Sequence, residues 1–255
     1  MRLGKSKPSK PKIMPIRAHE AGHPEQRGAT TGKSGALRAA IFGVNDGLVS
    51  NLSLIMGVAG ATGTDPQIVL LAGVAGLLAG AFSMGAGEYI SMRVQRDVFE
   101  QLLALERWEL ENMPEEELHE LTKIYEDKGM PKELATEVAV ALSKDVDVAL
   151  ETHAREELGL DPHELGSPTG AAISSFIAFS LGALVPLFPF FFVSGMTGIV
   201  LSATLSGITL FAVGSAMTIF TGKHFWLSGL RMLAVGGGAA TITYLVGSMF
   251  HVNSL

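Results

Sequence analysis

The chain has no cysteine, and only 17% of its 255 residues are charged. The first absence removes the secreted disulfide scaffolds. The second falls well short of the roughly one quarter typical of soluble domains. Together with 47% hydrophobic residues and a mean hydropathy of +0.34, it points to a membrane protein. Lysine and arginine are missing from residues 39–92, whose only charges are Asp46, Asp65 and Glu88. Acidic residues are missing from 169–255, where Lys223 and Arg231 stand alone. No apolar h-region lies between Met1 and Arg38, so the basic N-terminus does not read as a cleaved signal peptide.

The charges that are present are segregated. Residues 1–38 carry a net +7, 39–92 a net −3, 93–168 a net −12 and 169–255 a net +2. Two nearly uncharged blocks therefore flank a strongly acidic one. This pattern excludes a single soluble globular domain and a nucleic-acid binder with a basic face.

A membrane-crossing helix needs about 20 apolar residues. Ala39–Ala61 and Ile68–Met92 meet that need, joined by the turn Thr62–Pro66. Gly170–Phe220 is long enough for two spans, divided near 187–196 by Pro186, Pro189 and Ser194-Gly195. Met232–Phe250 is the last. The expected fold class is all-α, with five transmembrane helices and a helical metal-binding insert between spans two and three. Its parts are a disordered basic arm (1–36), spans one and two (37–92), the acidic insert (93–168), spans three to five (169–250) and a tail (251–255). Lysine and arginine favour cytoplasmic loops. The bias puts the N-terminus, the insert and the loop at 221–231 on the cytoplasmic side of an integral membrane protein, with the basic arm near anionic lipid.

Within the insert, span two is expected to run on as helix to about Asn112. Pro114 then opens a helix that Gly129 stops, and Pro131 opens another toward Leu158, with a re-start near Ser143. Glu106 and Glu109 stand at i, i+3, as do Glu117 and Glu120, so each pair projects from one helical face. A Glu run by itself is an ordinary solvated surface. Two such pairs repel unless a cation sits between them, and His119, His153 and Glu157 are at hand to complete a site. Carboxylates with an imidazole suit Fe²⁺, Mn²⁺ or Zn²⁺.

The spans hold polar residues that lipid would penalise. Asp46 lies in the first third of span one, with Ser50 and Ser53 on the same stripe, which must face protein or water. Met84 and Glu88 lie one turn apart in span two, and a thioether beside carboxylates favours a transition metal over Mg²⁺ or Ca²⁺. The GxxxG pairs Gly43/Gly47 and Gly76/Gly80 are packing devices.

Phe42-Gly43-Val44-Asn45-Asp46-Gly47-Leu48, Ser83-Met84-Gly85-Ala86-Gly87-Glu88-Tyr89 and the Glu-rich insert together resemble the vacuolar iron transporter family, over nearly all of Leu37–Phe250. The resemblance implies a non-enzymatic homodimer that exports Fe²⁺, and also Mn²⁺, from the cytosol in exchange for protons, with no prosthetic group and no nucleic-acid partner. Zn²⁺ is a further candidate cargo. By position, Asp46 and Met84 become pathway ligands at the dimer interface, and Glu106, Glu109, Glu117, Glu120 and Glu157 become ligands of the insert. The chain departs from the plant pattern at Gly76, where plant members carry a carboxylate whose part Glu88 is expected to share. It departs again at His153-Ala154, where they carry a methionine pair. A bacterial source implies the plasma membrane and a plant or fungal source the vacuole. The rival readings are a membrane-anchored ferroxidase, built on Glu116-x-x-His119, and a metal-sensing receptor.

Overall fold

A computed structural model describes residues 32–62, 65–163 and 165–250. The expected basic arm falls largely, and the expected tail wholly, outside them. The described residues are helical throughout, with no strand among them: α1 (Gly32–Thr62), α2 (Pro66–Asn112), α3 (Pro114–Asp127), α4 (Lys132–Leu142), α5 (Val146–Glu156), α6 (Pro168–Leu187), a 3-10 turn (Phe188–Phe191), α7 (Gly195–Ala216), the short α8 (Thr218–Thr221) and α9 (Phe225–Phe250). The chain divides into two compact units, one comprising residues 35–91 with those from 168 onward, the other built on residues 92–167.

Local chemistry sets the helix boundaries. Asp65 caps α2, its Oδ1 accepting from the backbone N–H of Gln67 at 3.0 Å and of Ile68 at 3.4 Å, while Pro66 fills a position whose N–H would be unused anyway. Asp65 is thereby accounted for as a structural carboxylate. Pro114 opens α3 in the same way, with Glu115, Glu116 and Glu117 in its positive first turn. Gly129, at φ 94°, carries the chain out of it. Asp145 starts α5 by accepting from the N–H of Asp147 at 2.8 Å and of Val148 at 3.3 Å. The re-start expected near Ser143 is therefore a true break between α4 and α5.

Five helices among the described residues are long and apolar enough to cross a membrane, with spans at Ala39–Thr62, Pro66–Asn112, Pro168–Phe191, Gly195–Ala216 and Phe225–Phe250. The last starts earlier than the expected Met232. Gly222, at φ 64°, ends the preceding turn, and nothing in Phe225–Leu230 breaks a helix. A single arginine within a helical turn is tolerated, because its long stem lets the charged end reach water. Arg231 thus lies on α9 rather than in a loop.

In the spanning unit α1 is central. Leu48, Leu52, Ile55, Met56 and Ala59 from it meet Val69, Leu187, Phe190, Ile199, Leu210 and Ala240 in one buried cluster. Lipid tails are as apolar as leucine, so burial of apolar surface does not drive helices together here; close packing must. A Cβ on Gly47 would run into the backbone of Phe179 and Ala183 on α6, and one on Gly182 into Val44 on α1. Gly60 and Gly247 make the same approach between α1 and α9, against Tyr244 and Gly57. A buried amide adds a polar tie. Asn51 Nδ2 on α1 donates to the Ala183 carbonyl at 2.7 Å, a bond worth about 0.6–1.7 kcal/mol in a membrane setting. The other end of that amide, Oδ1, faces Gly76 on α2, where a Cβ would come within 2.9 Å of it.

Gly47→Ala should therefore cost about 1–3 kcal/mol through overpacking. Gly87→Ala has open space around it and should be neutral or stabilising by up to about 1 kcal/mol. Thermal unfolding of the two variants in one detergent checks the contrast.

Candidate metal centre

The acidic unit brings three helices to one buried point. α2 supplies Glu106, α3 supplies Glu117, and α5 supplies His153 on its last turn with Glu157 as its C-cap residue. His153 Nδ1 lies 3.1 Å from Glu106 Oε1, 3.5 Å from Glu157 Oε2 and 3.7 Å from Glu117 Oε2. The imidazole is wholly buried, and the carboxylates are between 4% and 17% exposed. One ligand atom from each of Glu106, His153 and Glu157 falls within 4.8 Å of the other two. Neighbouring ligands of a small divalent ion, with bonds of about 2.0–2.4 Å, sit about 3.0–3.7 Å apart in the same way.

The charge balance is unusual for an interior. No lysine or arginine pairs with Glu106, Glu117 or Glu157 among the described residues. The unit's cations bind elsewhere: Arg107 to Asp147 at 2.5 Å, Lys128 to Glu156, Arg155 to Glu151 at 2.8 Å. Burial, then the charge of Glu106 and, more weakly, of Glu120 and Glu109, outweigh the attraction of His153 and push the Glu117 carboxyl up to about 8. Burial alone would lower the His153 imidazole. The hydrogen-bonding carboxylates Glu106 and Glu157, followed by the charges of Glu106 and Glu117, overcome it and raise His153 to about 10. Glu106 Oε1, Glu157 Oε2 and both ring nitrogens still lack a well-formed hydrogen bond. Buried polar atoms normally have one. Four ionisable groups that repel or strand one another, in ligand-shell spacing, are what a cation would satisfy.

The seven insert residues singled out from sequence are not equivalent here. Glu106, Glu117, His153 and Glu157 converge. Glu109 and Glu120 are near enough to act on the Glu117 charge without entering the three-ligand group. His119 is exposed, in a shallow cleft of α3 lined by Glu115, Glu116, Lys123 and Asp127. The central place of His153 was not readable from spacing, because the break at Ser143–Asp145 ends the helical register of α4 before α5 begins.

In the spanning unit, Asp46 is exposed on α1, and the Ser50 hydroxyl donates to the Asp46 carbonyl at 2.5 Å. Phe42, Asp46, Ser50 and Leu54 follow at intervals of four and are all exposed. Met84 is half-buried against the cluster of Ala81, Phe179 and Ala183, and Glu88 is half-buried beyond it. Asp46 and Glu88 belong to no multi-ligand group among the described residues. Asn51, which the sequence marks only as an interruption of span one, is buried in the bundle, as are Ser175, Ser202 and Ser206.

These features define a helical membrane protein with a carboxylate–imidazole cluster in its acidic unit. Residues 37–248 match the model of the VIT family. The chain is 37% identical over 231 residues to a protein of Acanthamoeba castellanii named vacuolar iron transporter, covering 88% of this chain and 82% of that one. It is 31% identical to vacuolar iron transporter 1 of Arabidopsis thaliana, over 82% and 83% of the two chains. It is 34% identical to vacuolar iron transporter homolog 2 of rice, over 84% and 90%. The chain belongs to the VIT family.

Both raised groups bind protons more tightly in the folded chain than in the unfolded one, so stability without metal should fall as pH rises. The Glu117 contribution is lost between its ordinary value near 4.5 and about 8, and that of His153 between about 6.5 and about 10. Hydrogen exchange of α3 and α5 in metal-free protein should accelerate from pH 6 to pH 9 beyond the intrinsic chemical increase. Glu117→Gln should flatten that trend.

Proposed function

We propose that this chain exports Fe²⁺ from the cytosol, with Mn²⁺ and Zn²⁺ as further cargo, in exchange for protons. The observation that carries the reading is the buried meeting of Glu106, Glu117 and Glu157 around His153, with no lysine or arginine paired to them among the described residues. Family membership and the names of the relatives support iron as the cargo. They also speak for transport rather than ferroxidase chemistry or a receptor, and for the vacuolar membrane over the plasma membrane. Sidedness rests on the lysine and arginine bias of the flanking segments, which puts the acidic unit in the cytosol.

In this mechanism the −12 segment draws divalent cations and concentrates them. Glu106, Glu117, His153 and Glu157 take the ion, with Glu109 and Glu120 adding negative charge beside them. Binding displaces the protons that Glu117 and His153 hold near neutral pH. The ion then passes to Asp46 and Met84. An exposed carboxylate on a membrane helix is costly unless something polar covers it, and the Phe42–Asp46–Ser50–Leu54 stripe supports a homodimer in which α1 faces its counterpart. Protons arriving from the opposite side neutralise Asp46, helped by Glu88, and release the metal.

Proteoliposomes with a pH gradient test the scheme. Asp46→Ala should abolish Fe²⁺ flux while leaving metal binding by the acidic unit intact; flux at the wild-type rate would remove Asp46 from the pathway. Replacing Glu106 and Glu117 together by glutamine should weaken metal binding at least about tenfold and slow flux chiefly at low metal, with less effect at saturation.

A further inference from the structure

We propose that His153 is the residue that makes this centre reject Mg²⁺ and Ca²⁺ in favour of borderline transition ions. The inference rests on the capture role proposed above and adds to it the basis of selection. An all-carboxylate site offers only hard oxygen ligands, which Ca²⁺ and Mg²⁺ accept readily. An imidazole nitrogen is a ligand for iron, zinc, copper and nickel, and a poor one for the alkaline earths. Concentrating cations by negative charge alone would gather every divalent ion in proportion to its abundance, so discrimination needs a donor of different chemistry.

The geometry leaves an incoming ion no way around that donor. His153 Nδ1 is the common near neighbour of three carboxylates on three different helices, at 3.1, 3.5 and 3.7 Å. An ion that engages any two of them therefore meets the ring nitrogen. The ring cannot retreat to solvent, because His153 is wholly buried, with Ala149 and Ala154 of the same helix buried beside it. Its backbone is fixed too: the His153 carbonyl accepts from the N–H of Glu157 at 2.8 Å and of Leu158 at 3.3 Å. The near neighbours of Nδ1 are the carboxylates of the cluster itself, so once a metal displaces its proton the nitrogen faces the same point as their oxygens. Mg²⁺, which dehydrates reluctantly and keeps several waters, would have to give up part of its water shell for a ligand it binds weakly.

The test uses full-length protein in nanodiscs, in an Asp46→Ala background so that the acidic unit dominates binding. Co²⁺ serves as the transition-ion probe and Ca²⁺ as the hard one. With the imidazole present, Co²⁺ should bind despite millimolar Mg²⁺ and Ca²⁺, and X-ray absorption should find nitrogen in its shell. His153→Gln, which substitutes a neutral oxygen donor, should weaken Co²⁺ at least about tenfold and leave Ca²⁺ unchanged or tighter. His153→Glu should shift the ratio further toward Ca²⁺. An unchanged Co²⁺/Ca²⁺ ratio in His153→Gln, or an all-oxygen shell for bound Co²⁺, overturns the selective role while the capture reading stands. If neither ion binds, or Glu106→Gln leaves Co²⁺ affinity untouched, capture at this centre fails and selection falls with it. The absorption measurement needs no substitution at His153, so the proposal remains open to refutation if both variants misfold.

Discussion

The spanning unit depends on how closely backbones can approach α1. Gly43 and Gly47 bring one side of that helix against α6, and Gly57 and Gly60 bring another against α9. Contacts of this kind replace the hydrophobic drive that lipid removes. Because α1 is gripped on these two sides, its remaining face is fixed in direction, and that face carries Asp46. A carboxylate on a loosely packed helix could rotate toward any polar neighbour. This one is held where the helix packing leaves it.

The acidic unit solves a different problem with different means. Its core is small, drawn from residues such as Leu105, Leu121, Ala135, Ala139 and Ala154, and the same interior also contains His153, Glu106 and Glu117. Burying charges costs stability unless they are paired. The unit meets part of that cost by holding protons on Glu117 and His153, which neutralise one carboxyl and set a positive imidazolium beside the others.

Much of this was legible in the sequence because the signals are local. Five apolar runs, Asp65-Pro66, Pro114 and Gly129 mark spans and boundaries without reference to tertiary contacts. The start of α9 was missed because a lone Arg231 reads as a loop charge, although its long side chain is compatible with a helix entering a membrane. Glu106, Glu117 and Glu157 could be named from spacing and family likeness. Their ranking could not: which of seven candidates converge depends on the turn at Ser143–Asp145, where a change of a few backbone angles decides the direction of every side chain on α5. Asn51 illustrates the same limit. An asparagine in an apolar run is visible, but its bond to Ala183 joins positions 132 residues apart.

The location of Glu157 carries its own consequence. It is the C-cap of an 11-residue helix, tied back by one N–H to the His153 carbonyl. Helix ends fray at far lower free energy than whole domains unfold. One wall of the centre is therefore hinged on a single helical turn, while Glu106 and Glu117 stand on longer helices. Opening that turn would move Glu157, and His153 on the same turn, away from Glu106 and Glu117. The two groups that α5 brings to the cluster therefore shift together, apart from the two carboxylates held by α2 and α3.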